Sequence, residues 1–165
     1  MAAHPIIQPL SLLPIARDGS VPLPRAAFTA IAREALGATR EFYRAVGFTR
    51  PWISYVAVDG SNVVGICGFT SPPVAGPIEI AYFTFPGFEG RGVATAMASG
   101  LLAMAAAADT GVAVTAHTLP AGNASHRVLE KANFVEARHI DHPVDGPILM
   151  WVLASGKDAR CSPAT

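Results

Sequence analysis

The chain has 165 residues, enough for one domain of ordinary size that buries about two thirds of its unfolded surface. Hydrophobic residues make up 51% and charged residues 15% of it, which excludes a disordered chain and a charged coiled coil. Lys+Arg and Asp+Glu number 12 each, so the chain lacks the basic excess expected of a partner of nucleic acid or of an anionic membrane.

The first part of the chain predicts a proline-punctuated segment and then helix. Residues 1–24 predict irregular structure with one short strand, because proline interrupts regular pairing. Apolar residues recur at helical spacing over 25–46. Gly37 predicts a break between two short helices, and Gly47 predicts the point where the second one ends.

The remaining elements alternate between strands and helices. Two runs rich in β-branched residues flank Asp59-Gly60-Ser61-Asn62 and predict a β-hairpin, while Asn123 predicts the N-cap of a late helix. The predicted elements are strands at 53–58, 63–69 and 78–85, a helix at 93–108, a strand at 112–116, a helix at 124–132, and strands at 134–140 and 148–153. This order indicates an α/β or α+β domain around one mixed sheet over residues 1–154, with a disordered polar tail at 155–165.

Three features bear on the compartment. Cys67 and Cys161 make no disulfide framework, which favours a reducing compartment such as the cytoplasm. The segment 1–15 is apolar but lacks a basic start, so it does not predict a signal peptide. The uncharged stretch 92–108 is short for a membrane span and predicts a buried helix.

A glycine-rich turn between a predicted strand and a predicted helix, Pro86-Gly87-Phe88-Glu89-Gly90-Arg91-Gly92, is the most informative segment. Such a turn presents unpaired backbone N–H groups and the positive end of a helix dipole, which together suit a phosphate. Arg91 can add a charge-assisted contact. The turn lacks the Gly-Lys-Ser/Thr of a P-loop and the Gly-x-Gly-x-x-Gly of dinucleotide-binding turns. An ordinary strand-to-helix turn is the alternative.

Two segments together resemble the GCN5-related N-acetyltransferases, the GNAT superfamily. The first, from Glu79 to Thr95, is similar to the motif Arg/Gln-x-x-Gly-x-Gly/Ala, with Glu89, Gly92 and Ala94 at its defined positions. The second, Asn123-Ala124-Ser125-His126-Arg127-Val128-Leu129-Glu130-Lys131-Ala132-Asn133-Phe134, resembles the ribosomal-protein N-terminal acetyltransferase-like branch. The resemblance implies a single GNAT-type domain whose mixed, mostly antiparallel sheet is splayed at an acetyl-CoA site and flanked by helices.

The resemblance also implies how acetyl-CoA is held. Its pyrophosphate would lie on the glycine turn, its pantetheine would pair with the backbone of Phe83 and Phe85, and its thiol would lie near Asn123 and Ser125. The implied cofactor-binding residues are Phe83, Thr84, Phe85, Glu89, Gly90, Arg91, Gly92, Val93, Ala94, Thr95, Asn123 and Ser125.

The sequence departs from the family pattern at two positions. Glu89 places a carboxylate near the expected pyrophosphate, where the family has Arg or Gln. Asn133 replaces a glycine of positive φ. Asparagine is the non-glycine residue that best tolerates this conformation, so the turn is expected to form.

The implied chemistry is direct attack of a neutral amine on a thioester. An α-amino group, with a pKa of about 7.7–8.0, loses its proton at pH 7 for about 1 kcal/mol, whereas lysine requires about 4–5 kcal/mol. The base candidates are Glu79, Tyr82 and His117. The alternative for each is a role without chemistry: Glu79 as a surface carboxylate, Tyr82 as a core aromatic and His117 as a loop histidine. Ser125 is the candidate donor to the departing thiolate, or else a helix cap.

The acceptor side is less defined. Tyr43, Phe48 and Trp52 could line its pocket or pack in the core, and Asp141 and Asp145 of the final hairpin loop could attract a cationic amine or be solvated. The histidine spacings match no zinc pattern, so no metal is expected. The predicted function is N-acetyl transfer to a primary amine of a protein N-terminus or a small molecule, with a homodimer favoured by the low charge. The alternative is a catalytically idle acyl-CoA-binding regulatory module.

Overall fold

The computed structural model describes residues 9–74, 76–109 and 111–154. The predicted disordered tail at 155–165 and Cys161 lie outside the described residues. The division of the chain into a domain at 1–154 and a tail therefore stays a prediction.

Within the described segments, seven strands form one sheet, and three α-helices pack against it. The elements are β1 Ser11–Pro14, α1 Ala30–Val46, β2 Ser54–Asp59, β3 Asn62–Phe69, β4 Ile78–Thr84, α2 Val93–Ala108, β5 Val114–Thr118, α3 Ala124–Lys131, β6 Phe134–His142 and β7 Gly146–Leu153. The strand order is β1-β2-β3-β4-β5-β7-β6. Only β4 and β5 are parallel neighbours. The predicted single domain with a mixed, mostly antiparallel sheet is confirmed.

The first helical region differs from its prediction. A 3-10 turn at Arg25–Ala27 precedes α1, which then runs without a break through Gly37 to Val46. The prediction of two helices is wrong, because one glycine costs a helix only about 1 kcal/mol and the packed turns on either side supply more than that. Gly47 ends α1 at a φ of 94°, as predicted.

Two strands extend further into polar residues than their composition indicates. β5 runs from Val114 to Thr118, which places His117 within the strand rather than after it. β6 reaches His142, so Asp141 is a strand residue and not a loop residue. Both extensions follow from pairing with β7, because backbone hydrogen bonds to a neighbouring strand do not depend on the polarity of the side chains.

Helix α2 covers one face of the sheet by packing on β3 and β4. Its residues Met97 and Leu101 are fully buried. Gly65 of β3 makes room for the helix, since a Cβ there would lie 3.1 Å from the Met97 sulfur. No helix in the described part of the chain is long and apolar enough to cross a membrane.

The other face of the sheet lies under α1. Side chains alternate along a strand, and Gly65 faces α2. Positions 66 and 68 of β3 therefore face away from α2. In the register of β3 with β4, Gly68 lies opposite Ala81. The predicted common face of Glu79, Ala81 and Phe83 is therefore the α1 face.

The hydroxyl of Tyr43 ties α1 to the strands beneath it. Tyr43 is 5% exposed. Its hydroxyl accepts the Ser54 N–H at 2.9 Å and lies 3.1 Å from the Ile15 carbonyl and 3.4 Å from the Ser54 carbonyl. Tyr43 is thus a packing residue, the second of its two predicted roles.

Replacing Tyr43 with phenylalanine is expected to lower the free energy of unfolding by about 1–3 kcal/mol, because the Ser54 N–H loses its partner. For a domain of this size each kcal/mol lowers the Tm by about 2–4 °C, which calorimetry can measure. Tyr55→Phe is the matched control, since that buried hydroxyl makes one hydrogen bond, to the Pro51 carbonyl at 2.8 Å. Equal losses in the two variants would contradict the assigned role of Tyr43.

Candidate active site

The glycine turn leaves the N-terminus of α2 open. Gly87, Gly90 and Gly92 adopt positive φ values of 90°, 72° and 82°. Gly92 is the N-cap residue, and no side chain caps the helix. The first N–H groups of α2, beginning at Val93, therefore have no partner within the helix and carry the positive end of its dipole.

A groove of about 390 Å³ lies in front of this helix end, between β4, α2 and α3. Its lining residues are Tyr82, Phe83, Thr84, Phe88, Glu89, Gly90, Gly92, Val93, Ala94, Thr95, Ala124, Ser125, Arg127, Val128 and Lys131. Most of the predicted cofactor-binding residues are thus brought together. Arg127 and Lys131 were not predicted to be cofactor-binding, although their i,i+4 spacing on one helix places two cations on the same face.

Two charged residues of the turn direct their side chains towards the turn itself. The Glu89 carboxylate accepts the Gly87 N–H at 2.8 Å, so its charge is held by the turn itself. The Arg91 guanidinium lies 5.5 Å from the centre of the Phe88 ring, and Arg91 is outside the groove lining. A contact of Arg91 with a phosphate stays a prediction.

The predicted splay in the sheet lies beside this groove. β4 and β5 are paired only over Ile78–Ile80 and Val114–Ala116. Beyond Ile80, the register gives β4 no partner on the β5 side. A gap in the sheet therefore opens along the last residues of β4.

Backbone alternation decides which groups of β4 face the gap. The Ile78 N–H donates towards β5, whereas the Phe85 N–H donates to a carbonyl of β3. By the period of two, Tyr82 and Thr84 direct their backbone groups to the gap. The backbone groups of Phe83 and Phe85, which were predicted to pair with a ligand, face β3 instead of the gap.

The start of α3 forms the opposite wall of the groove. The Asn123 side chain accepts the N–H groups of Ser125 and His126 at 2.9 and 3.3 Å, which makes it the predicted N-cap. Asn123 caps the helix and does not line the groove. Ser125 does line it, and the Tyr82 hydroxyl donates to the Ser125 carbonyl at 3.4 Å.

Tyr82 is suited to donate a proton rather than to accept one. Burial raises the pKa of Tyr82 to about 12, so its hydroxyl stays protonated at neutral pH. Tyr82 also lies on the opposite face of β4 from Glu79, by the strand alternation. The raised pKa favours a role as hydrogen-bond donor over the predicted role as base.

Glu79 and His117, two of the candidate bases, form one unit across the parallel pair of strands. The His117 Nδ1 lies 2.9 Å from the Glu79 Oε1, and the two side chains are 29% and 30% exposed. The Thr70 hydroxyl lies 3.5 Å from the other carboxylate oxygen. A neutral His117 that donates from Nδ1 keeps Nε2 free to accept a proton.

An apolar cavity of about 300 Å³ lies on the α1 face, next to this pair. Its lining residues are Phe42, Ser54, Ile66, Cys67, Gly68, Phe69, Thr70, Ala81, Tyr82 and Phe83, and none of them is charged. It shares Tyr82 and Phe83 with the groove. We call it the α1-face cavity.

The predicted aromatic residues lie behind the α1-face cavity rather than on its wall. Phe48 packs edge to face on Tyr43 with ring centres 5.1 Å apart, and Trp52 packs in the same way on Phe69 at 5.1 Å. Phe42 is the aromatic side chain of α1 that does line the cavity, and sequence reasoning missed it. The sequence around Phe42 and Tyr43 does not indicate which of the two aromatic side chains lines the cavity, because this depends on how α1 lies over the sheet.

Glu79 and His117 do not line the α1-face cavity but a second one, of about 410 Å³, with His142 and Asp145. The His142 Nδ1 lies 2.9 Å from the Asp145 carboxylate and 3.1 Å from its backbone nitrogen. His142 can thus donate to the carboxylate or accept the backbone N–H, depending on its protonation. Asp145 is close to the predicted base, whereas Asp141 does not line this cavity.

The other features of the site concern Cys67 and possible metal ligands. Cys67 is buried, and burial raises the pKa of its thiol to about 12, which leaves it unreactive. Across the described ranges, no three His, Cys, Asp or Glu side chains are close enough to hold a metal ion.

Comparison with known proteins identifies the family. A family model described as an acetyltransferase (GNAT) domain matches residues 19–135. The chain belongs to the GNAT acetyltransferase family. It is an acetyl-CoA-dependent N-acetyltransferase, the first of the two predicted alternatives.

Solved structures similar to this acetyltransferase share its fold. RimL, a ribosomal-protein α-N-acetyltransferase solved in complex with coenzyme A, is 13% identical with a TM-score of 0.64, over 90% of this chain and 95% of that one. A spermidine N-acetyltransferase chimera from Vibrio cholerae and hSSAT is 14% identical with a TM-score of 0.63, over 93% and 99%. A GNAT-family acetyltransferase from Bordetella pertussis is 18% identical with a TM-score of 0.58, over 88% and 95%. A search of curated proteins found no match.

The groove fits acetyl-CoA in its charge and its exposed backbone. The first turn of α2 contains no acidic residue, so its N–H groups are compatible with a phosphate. Arg127 and Lys131 add two positive charges to the wall. Glu89 is the one carboxylate among the lining residues. Its hydrogen bond from the Gly87 N–H directs it towards the backbone of the glycine turn.

Proposed function

We propose that the acetyltransferase acts on an α-amino group, the N-terminus of a peptide or protein. The observation that carries this proposal is the Glu79–His117 contact of 2.9 Å beside a cavity with no charged lining residue. The pair can take one proton, and the α1-face cavity beside it offers no partner for a second positive charge, since the Asp145 carboxylate lines the other cavity.

The proton that leaves the amine requires only a weak base if the acceptor is an α-amino group. Deprotonation at pH 7 costs about 1 kcal/mol for an α-amine and about 4–5 kcal/mol for lysine. Glu79 can accept this proton, either directly or through Nε2 of His117 while the carboxylate orients the ring. Both side chains are partly exposed, so the proton can pass on to solvent.

The lining of the α1-face cavity argues against a polyamine acceptor. A polycation that enters the α1-face cavity loses hydration at each ammonium group and gains no partner there, because no carboxylate lines that cavity. The spermidine N-acetyltransferase relative is only 14% identical, and its likeness concerns the fold alone.

The remaining roles concern the bound cosubstrate, which supplies the acetyl thioester. The N–H groups at the start of α2, with Arg127 and Lys131, would hold its phosphates. The backbone groups of Tyr82 and Thr84 would face its pantetheine across the gap in the sheet. The protonated Tyr82 hydroxyl and the Ser125 hydroxyl would donate hydrogen bonds near the sulfur.

Initial rates with matched acceptors test this function. A peptide with a free N-terminus and one internal lysine is expected to be acetylated, whereas the same peptide with a formylated N-terminus is not. The kcat/KM for spermidine is expected to be at least about 10-fold below that for the free peptide, because its second and third charges find no partner in the α1-face cavity. Equal rates on the free and the blocked peptide, or a higher kcat/KM for spermidine, would contradict the proposal.

A cytoplasmic location and a homodimer are further parts of this proposal. The location is supported by the absence of a disulfide framework from the cysteine content. The homodimer is supported by the charged fraction of 15%, which leaves apolar surface to cover.

A further inference from the structure

Three successive cross-strand pairs of β3 and β4 lie along the α1-face cavity, and all of their residues except Glu79 line it. The middle pair is the smallest, and the pairs on either side of it differ in character, apolar towards the groove and polar away from it. From the groove outward, the pairs are Ile66 with Phe83, Gly68 with Ala81 and, where Thr70 follows β3, Thr70 with Glu79.

The small middle pair creates the hollow. Gly68 has no side chain, and it cannot have one, because a Cβ there would lie 2.7 Å from the Ser54 Cα. Ala81 is exposed and carries only a methyl group. Phe42 of α1 lines the same cavity from the helix that covers it. The space is therefore left by two small residues between larger neighbours, and Ala81 is the one that can change size.

One end of the hollow adjoins the acetyl-CoA groove, and the other end adjoins the candidate base. Phe83, which is 53% exposed, belongs to both the cavity and the groove. At the other end, Thr70 lies on the cavity wall and its hydroxyl reaches the Glu79 carboxylate at 3.5 Å. A group placed over Ala81 is thus held between the groove and the base.

We propose that the α1-face cavity is a specificity pocket for an apolar first side chain of the acceptor peptide, and that Ala81 sets its depth. This inference rests on the proposed function, since it assumes that a peptide N-terminus is the acceptor. The α-amine lies where the thioester and Glu79 are both within its reach, and the side chain on its Cα occupies the hollow.

The chemistry of the wall selects this occupant. An apolar side chain gains by leaving water for a wall of Phe42, Ile66 and Phe83. An acidic or basic first side chain would lose its hydration there without finding an opposite charge, since the lining is uncharged. A glycine at the first position would leave the hollow unfilled and gain nothing from it.

Peptides that differ only in their first residue test this proposal. For the wild type, kcat/KM with a leucine-first peptide is expected to exceed that with a glycine-first peptide by about 10-fold or more. Ala81→Phe fills the hollow and is expected to reduce this ratio to about one, whereas Ala81→Ser keeps the size of the side chain and most of the ratio. Phe42→Ala enlarges the cavity from the α1 side and is expected to shift the preference towards larger first residues.

Three outcomes overturn the inference, and they differ from one another. A wild type that acetylates both peptides equally disproves the pocket and leaves the proposed function standing. An Ala81→Phe variant that keeps the wild-type ratio, with unaltered acetyl-CoA binding and thermal unfolding, shows that Ala81 does not set specificity. A wild type that acetylates no free N-terminus disproves the proposed function and the pocket with it.

Discussion

The Gly92→Glu variant is expected to bind acetyl-CoA about 100-fold more weakly or worse, because a carboxylate beside the cosubstrate's phosphates costs several kcal/mol. Gly92 caps α2 at a φ of 82° and lines the groove. The substitution therefore places negative charge at the uncapped N-terminus of α2, which faces the groove. Calorimetric titration with acetyl-CoA and with CoA measures the effect.

Two controls separate charge from backbone strain. A non-glycine residue in the left-handed conformation costs about 1–2 kcal/mol, so Gly92→Ala shares the strain but not the charge. Gly60→Ala introduces the same kind of strain in the hairpin turn, where φ is 60° and a Cβ meets open space. Binding by Gly92→Glu at wild-type affinity would show that the phosphates do not lie on this turn.

The Glu79→Gln variant is expected to lower kcat by about 100-fold or more, which is the contribution typical of general base catalysis. Its affinity for acetyl-CoA should stay at the wild-type value, since Glu79 does not line the groove. His117→Ala should cause a loss of similar size. If the two side chains act as a unit across their 2.9 Å contact, the double variant should lose little more than either single one.

A second histidine–carboxylate pair provides the matched control. Glu136 lies 3.6 Å from His139 on β6, and both side chains are mostly exposed. Neither residue lines the groove or the cavities around Glu79. Glu136→Gln should therefore leave kcat unchanged. Additive losses in the Glu79 and His117 double variant would mean that the two groups act independently.

Local features of this chain could be predicted because their causes are local. The positive φ values of Gly92 and Asn133 follow from the side chains present at those positions. Asn123 caps α3 through the N–H groups two and three residues later, a contact that chain spacing alone determines. The same short segments carry the family motif, so the acetyl-CoA groove was predicted with them.

The partners of β4 could not be predicted in the same way. Whether Tyr82 or Phe83 turns its backbone to the gap depends on which residue of β3 pairs with which residue of β4, and a shift by one residue would reverse the answer. The burial of Tyr82, which raises its pKa to about 12, and the Ser125 carbonyl to which it donates both depend on the packing of distant segments.

The sequence by itself therefore determined the family, the elements around the glycine turn and the groove for acetyl-CoA, because helix caps, left-handed residues and hydrophobic periodicity act over a few residues. Only the tertiary structure decided the unbroken course of α1 past Gly37, the joining of Glu79 to His117 and the hollow over Ala81. Each of these depends on contacts between residues far apart in the chain, whose register and packing no short segment encodes.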